Sequence, residues 1–330
     1  MSTSPQVSVL VPVYNRAYCI EQALASALEQ TFGDLEVVVV DNCSTDGSWE
    51  LIQRAASSDA RVRAFRNDSN IGPVRNWLRC VREARGELIK IIWSDDLLHR
   101  EYLAEAVPLM ADATVGFVYS PAMIFFGGDP LNSYTLYEST PLGCRPTAEF
   151  IEGSLLKRDY PVSPGCGLFR IKDVRDCLLE QVPNRVGSDF AMHAIAPDAL
   201  LFLLVAERYP CFYRLKQPLS YFRAAPDGIS VTSGRSKLAL HYDVAKAWFV
   251  SRGDLPPTLV AKFNSMLFID LLVFRGKPFG LRRIADFYPE TGQHSLSVAY
   301  LPVSVVNLLA KIPRKIRPRL RLIASRASRA

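Results

Sequence analysis

Three aspartates stand where carboxylates are seldom left without company. Asp41 closes the run "LEVVVVD" (35–41), and Asp95 with Asp96 follows "LIKIIW" (88–93) closely. Both runs are apolar and rich in β-formers, the composition of strands buried on both faces. Two adjacent like charges after a buried strand repel unless a cation is present or one takes a proton. The chemistry that suits them is a hard cation, Mg²⁺ or Mn²⁺, held by one or two carboxylates and the oxygens of a substrate phosphate. Such an ion neutralises charge on a diphosphate leaving group. Each acid also has a plain structural reading. Asp41 is a possible helix cap or solvated loop acid, and Asp95 and Asp96 are possible caps of the helix "REYLAEAVPLM" (100–110).

The elements that would position these acids alternate through the first 120 residues. "VSVLVPV" (7–13) reads as a buried strand, followed by a helix over 18–30 with Ile20, Ala23, Leu24, Ala27 and Leu28 on one face. Strand 35–41 leads into "CSTDGSWELIQRAA", where Ser44, Thr45 or Asp46 can cap a helix. A weaker strand (62–67) precedes a helix over 72–84, with Pro73 placed early, where its missing N–H does no harm. Strands follow at 88–93 and 115–120. Apolar strands alternating with amphipathic helices predict an α/β fold, a mostly parallel sheet with helices on both faces. Ligands bind such sheets at the carboxyl ends of the strands, so the ends carrying Asp41, Asp95 and Asp96, and the turn with Pro12, Tyr14 and Asn15, share one crevice. Beyond residue 121 the rhythm fades. "FFGGDPLNSY" and "PVSPGCG" read as turns, "VGSDFAMHAIA" starts a helix, "ALLFLLVAERY" fits helix or strand, and residues 234–286 read as helical.

A dinucleotide would call for GxGxxG at the first strand-to-helix turn, which here reads "PVYNRAYC", and no GxxxxGK[ST] occurs. No glycine loop cradles the phosphates, so a metal ion must carry much of that work. Seven cysteines without a CxxC pair and only four histidines offer no zinc-ligand spacing and suit a reducing compartment. The N-terminus lacks the basic and apolar regions of a signal peptide, and no window reaches the ~20 apolar residues of a spanning helix. Eight of the 39 basic residues fall in 311–330, leaving 31 against 33 acids elsewhere. The net charge of +6 therefore belongs to a tail and gives the domain no nucleic-acid-binding face.

The stretch "VSVLVPVYNRAYCIEQALASALEQTFGDLEVVVVDNCSTDGSWELI", continued by "NDSNIGPVRNWLRCVREARGELIKIIWSDD", resembles family 2 glycosyltransferases, inverting GT-A-fold enzymes that use nucleotide sugars. The resemblance is strong over residues 5–120, weak over 160–230, and silent on 235–330. It implies a GT-A domain over 1–232, with a nucleotide-sugar half (1–120) and an acceptor half (121–232); the residues of 233–330 themselves read as a helical region with a basic amphipathic tail. It implies that Asp41 accepts a hydrogen bond from the base and that Pro12, Tyr14 and Arg16 line the nucleoside. Arg75 falls at a basic position near the nucleotide. Asp96 falls at the metal ligand and Asp95 beside it, as a second ligand or a sugar contact. Asp189 matches the catalytic base, with His193 one turn later. "SPGCGLF" resembles the acceptor-side glycine segment, and Tyr221 and Arg223 match the pattern Y-R-x-H-x-x-S-x-S. Two positions depart from the pattern: Trp93 stands where many members carry an acid, and Ala225 fills the histidine slot.

The expected function is therefore inverting, metal-dependent transfer from a nucleoside-diphosphate sugar, with UDP or dTDP favoured by an acid that can accept the N3–H of uracil or thymine. The acceptor would be a saccharide or lipid-linked saccharide in cell-surface polysaccharide synthesis. Two alternatives stay open: a sugar nucleotidyltransferase, and a catalytically silent sugar-nucleotide-binding scaffold. The basic tail after Val305, Val306, Leu308 and Leu309 reads either as disordered or as a peripheral anchor on an anionic membrane, which would put the protein in the cytoplasm at the inner membrane face.

Overall fold

Strands β1 (Val7–Val13) and β2 (Leu35–Asp41) are buried along all seven residues, as their valines require. Between them α1 (Ile20–Leu28) turns Ile20, Ala23, Leu24 and Ala27 onto the sheet. Helix α2 (Ser48–Ser58), β3 (Val62–Arg66), α3 (Pro73–Glu83) and β4 (Leu88–Ile91) complete the alternating half. A computed structural model of the chain describes residues 4–126, 129–225, 228, 232–253, 255–290 and 294–305. The basic segment 311–330, with Val306, Leu308 and Leu309, lies outside the described residues.

After β4 come β5 (Leu97–Leu98), α4 (Tyr102–Ala106), β6 (Val115–Tyr119), β7 (Ala122–Phe126), β8 (Asp129–Leu136), β9 (Gly143–Pro146) and α5 (Thr147–Leu155). Then follow β10 (Gly167–Arg170), α6 (Ile171–Cys177), α7 (Phe190–His193), α8 (Pro197–Ala206), β11 (Cys211–Arg214) and β12 (Ser220–Arg223). Among the described residues the main sheet runs β3-β2-β1-β4-β10-β6-β11-β9. The four leading strands are parallel, and β10 enters antiparallel between β4 and β6. The chain leaves β1 on one side toward β2 and β3 and returns to β4 on the other. The crevice of an open α/β sheet forms at such a switch. It falls between the loop after β1 and the loop after β4, which carry Tyr14–Arg16 and Asp95–Asp96.

A second sheet, β5-β12-β7-β8, stands over the β4 end. Its β7–β8 hairpin adds strand pairing to the turn-rich "FFGGDPLNSY": Ala122 to Phe125 pair with Leu136 to Ser133. "ALLFLLVAERY" resolves as helix α8, buried on all sides, which explains why periodicity could not type it.

Helices α9 (Arg235–Arg252) and α10 (Pro257–Val273) fasten to this body through buried charge. Lys157, just past α5, sits between Asp243 of α9 (Nζ–Oδ1 2.5 Å) and Asp270 of α10. Both acids are nearly inaccessible, at 0% and 4%. Lys246 Nζ donates to Ser154 O at 2.5 Å, and Tyr242 Oη donates to Asp198 Oδ2 at 2.8 Å. Removing one partner from a buried ion network leaves bare charge behind. Lys157→Met is expected to destabilise the protein by about 3–5 kcal/mol, measured by urea unfolding. A loss below 1 kcal/mol would show that these acids are not held by Lys157.

Candidate active site

Asp41 closes β2 with no solvent exposure. Its Oδ2 accepts from Ser44 N at 3.1 Å and faces Arg66 Nε of β3 at 3.1 Å. Its Oδ1 is buried and has no hydrogen-bond partner among the described residues. A buried carboxylate oxygen without a donor costs on the order of 1–3 kcal/mol, unless a ligand supplies the donor. Ser44 knits the neighbouring turn to this acid: its Oγ accepts from Asn15 N at 2.9 Å, and Asn15 Oδ1 accepts from Thr45 N at 2.9 Å. Asn15 adopts φ 50°, a left-handed conformation that asparagine tolerates better than most residues. The turn after β1 thus presents Tyr14, 44% exposed, and Arg16 beside Asp41, with Pro12 buried in the strand itself.

Four asparagines carry the site toward α3. Asn42 Nδ2 donates to Asn70 Oδ1 (2.8 Å), while Asn42 Oδ1 accepts from Asn67 Nδ2 (2.9 Å) and Ile71 N (3.0 Å). Asn76 Nδ2 donates to Val40 O at 3.0 Å. The network sets Gly72 at φ 85°, in the left-handed region that favours glycine, with Ala191 and Met192 of α7 packed where a Cβ would stand. Helix α7 is therefore seated on the N-terminus of α3. Asp189 is its N-cap, accepting from Met192 N at 3.3 Å and from Gln181 Nε2 at 2.8 Å. The Gln181 hydrogen bond holds this exposed carboxyl below the ordinary carboxylate range.

His193, on the same turn, accepts from Ile195 N at its Nδ1 (3.1 Å) and so presents Nε2–H to Ser188 Oγ (2.8 Å). Burial, followed by the neighbouring His241, pushes it down to about 4, leaving a neutral clamp on the loop. Arg75 reaches away to Glu180 (2.7 Å), with both side chains more than 40% exposed. In this structure the guanidinium bridges α3 and the loop before α7.

On the other side of β1, Asp95 lies 3.8 Å from Arg16 Nε. Asp96 is 6% exposed and accepts from Arg223 N at 2.8 Å. Arg223 Nε donates to Asp95 O at 2.8 Å and an Nη donates to Gln22 Oε1 at 2.7 Å, so β12 closes over the acid pair. Burial, then the Asp95 charge, raises the Asp96 carboxyl well above its ordinary value. An unmet demand for positive charge is the physical meaning of that shift. Among the described residues no third His, Cys, Asp or Glu joins the two. The donor set fits a cation that takes one or two protein carboxylates and completes its shell with phosphate oxygens and water. It does not form a closed protein cage.

Trp93 fills the position of the missing acid. It packs against Trp77 with the rings tilted by 45° and 4.7 Å between centroids, and donates Nε1–H to Ser163 Oγ at 2.8 Å beside "SPGCG". Tyr221 of β12 lies edge-on to His99, and Ala225 is buried.

Lys90 escaped the sequence reading, being one polar letter in an apolar strand. Its ammonium is fully buried, donating to Gly165 O at 2.5 Å and lying 3.8 Å over the Tyr102 ring. Burial pushes it down to about 7, with Cys166 and Asp96 pulling the other way. Arg66 was also missed. The one signal available for either was a basic residue inside a predicted buried strand, which calls for a partner.

Asn42 Nδ2 lies 3.3 Å from Gly72 O, and Gly72 packs on Ala191 and Met192, so α7 with Asp189 at its N-cap sits on the N-terminus of α3 next to the residue that follows Asp41. Neighbouring strands lie about 4.8 Å apart, so the carboxyl ends of β2 and β4, one strand removed, stand roughly 10 Å from each other.

Comparison with known proteins bears on this geometry. The chain is 28% identical over 131 residues to the putative teichuronic acid biosynthesis glycosyltransferase TuaG of Bacillus subtilis, covering 39% of the chain and 52% of that protein. It is 32% identical to the putative colanic acid biosynthesis glycosyl transferase WcaA of Escherichia coli, covering 43% of the chain and 56% of the relative. To the GalNAc(5)-diNAcBac-PP-undecaprenol β-1,3-glucosyltransferase of Campylobacter jejuni it is 33% identical, covering 35% of the chain and 37% of that enzyme. The chain thus matches about half of these relatives or less. Among solved structures, S. aureus TarS 1–349 in complex with UDP-GlcNAc superposes with a TM-score of 0.61 at 18% identity, over 82% of this chain and 74% of TarS. The mannosyltransferase PcManGT of Pyrobaculum calidifontis, in complex with GDP-Man and Mn²⁺, gives 0.52 at 22% identity, over 99% of this chain and 81% of that one. Both share the GT-A-like fold. The model of the family described as Glycosyl transferase family 2 matches residues 8–177, and the chain belongs to that family.

Proposed function

We propose that the protein transfers a sugar, with inversion, from a nucleoside-diphosphate sugar to a saccharide or lipid-linked acceptor in cell-surface polysaccharide synthesis. The carrying observation is Asp41 Oδ1, a buried acceptor at the end of β2 with no donor among the described residues. The N3–H of uracil or thymine would satisfy it, which favours UDP or dTDP. The relatives named for teichuronic acid, colanic acid and an undecaprenol-linked acceptor support the glycan setting.

In this reading residues 1–120 hold the donor and 121–232 the acceptor, with 233–330 as a helical appendage. Tyr14 and Arg16 line the nucleoside and diphosphate. Asp96, with Asp95, would hold Mg²⁺ or Mn²⁺, which when bound neutralises charge on the departing diphosphate. Arg16 and Arg223 flank the same acids and add fixed positive charge where the leaving group gathers its negative charge. Asp189 takes the acceptor hydroxyl proton as that oxygen attacks the anomeric carbon from the face opposite the diphosphate. The sugar–phosphate C–O bond breaks, and the nucleoside diphosphate leaves with the electron pair. Asp189 stands ionised and exposed before the acceptor arrives; loss of water around it on acceptor binding strengthens it as a base.

We place the protein in the cytoplasm, peripheral on the inner face of the membrane. Exposed Leu296, Val298, Val303 and Val305 precede the basic residues of 311–330. No single described helix is long and apolar enough to cross a membrane.

Three outcomes are expected. Asp189→Asn lowers kcat by about 10²–10⁴ while nucleoside diphosphate binding persists, because a general base contributes about that much; an unchanged kcat removes Asp189 from the chemistry. Sugar transfer measured with Mn²⁺ is abolished by a chelator and by Asp96→Ala, and activity in the Asp96→Ala protein would end the metal assignment. The acid limb of kcat/KM lies below the ordinary carboxylate range of about pH 4 and moves upward in Gln181→Leu, which removes the hydrogen bond that depresses Asp189. A limb that stays in place shows that another group sets it.

A further inference from the structure

Arg66 does more at this site than neutralise a buried acid. Its Nε faces Asp41 Oδ2 at 3.1 Å, an Nη donates to Ser44 O at 2.8 Å, and its guanidinium carbon lies 5.5 Å over the Trp49 ring. Ser44 N donates to the same Oδ2 at 3.1 Å. Oδ2 is therefore spent inside the protein, on a cation fixed from two further sides. Oδ1 alone is left, buried and without a partner among the described residues. A carboxylate ordinarily offers two oxygens side by side, and a planar group with two parallel N–H donors takes both. This one offers a single oxygen.

We propose that Arg66 is a specificity-determining residue: by occupying Asp41 Oδ2 it makes the acid a single-point acceptor that takes a base with one ring N–H and refuses guanine. The inference rests on the donor-binding reading above and deepens it. Uracil and thymine present N3–H between two carbonyl oxygens, one donor for one acceptor. Guanine presents N1–H and N2–H₂ together. With Oδ2 engaged, one of guanine's two donors enters a buried pocket without a partner, and an unsatisfied buried donor is what makes a polar site reject the wrong ligand. Arg66 also adds repulsion, since its N–H groups point toward the oxygen that the second guanine donor would need.

Isothermal titration of the full chain with UDP, dTDP and GDP, in Mg²⁺ buffer, tests this. The wild type is expected to bind UDP and dTDP at least about tenfold tighter than GDP, the lower part of what one unsatisfied donor costs. In Arg66→Leu the freed Oδ2 lets GDP gain, and the UDP-to-GDP ratio falls by about tenfold. Arg66→Gln, which can still donate to Ser44 O but carries no cation, is expected to lie between the two and serves if the leucine variant unfolds. Equal wild-type affinity for UDP and GDP would overturn the proposal while leaving the donor-binding reading intact. So would an Arg66 variant that loses all three nucleotides in the same proportion, which would mark Arg66 as a general ligand contact. Failure of the wild type to bind any of the three removes both readings.

Discussion

Carboxylates crowd the ends of the central parallel strands, and each is held by a different segment. Asp41 meets Arg66 of β3, Asp95 meets Arg16 of the turn after β1, and Asp96 is covered by Arg223 of β12. Burying a charge without a partner is prohibitive, so no one of these segments can take its place without the others. The consequence is preorganisation. The acids sit in fixed positions before any ligand arrives, and the remaining imbalance is local: an Asp41 oxygen unpartnered among the described residues, and an Asp96 carboxyl raised by burial and by its neighbour. Both leftovers call for something positive or hydrogen-bond-donating from outside the chain.

The sheet half was legible because its pattern is simple. Four consecutive valines before Asp41 admit little but a buried strand, and both faces of β2 are indeed covered. The acids at the strand ends could be placed on one crevice by the parallel-sheet rule alone. What the sequence did not disclose depends on contacts between residues far apart in the chain. Lys90 is 75 residues from the Gly165 carbonyl it holds, and Arg223 is 127 residues from Asp96. Nothing in the local pattern of β4 or β12 announces either partner. The second sheet was missed for the same reason, since β5 is a two-residue strand that exists only through pairing with β12. The partner of Arg75 is of the same kind: Glu180, 105 residues away, comes from the loop before α7.

The helices beyond β12 bear on the chemistry although none of the expected site residues lies in them. His241 of α9 packs edge-on against His193 at 4.9 Å, and His193 clamps Ser188, next to Asp189. Lys157 joins the same helix to α5 through Asp243. Helix α7 has four residues, too short to hold its own conformation in water. Its order has to come from neighbours: Gly72 of α3 beneath it, and the His193–His241 contact on its flank. The C-terminal region thus acts as a buttress. It reaches the helix that carries the expected base through His241, whose ring lies edge-on to His193 and Phe190 of α7, and it is tied to the rest of the fold by charges that cannot be exposed cheaply one at a time. A base that must wait in water for its acceptor needs such support, because nothing in its own four-residue helix would keep it in place.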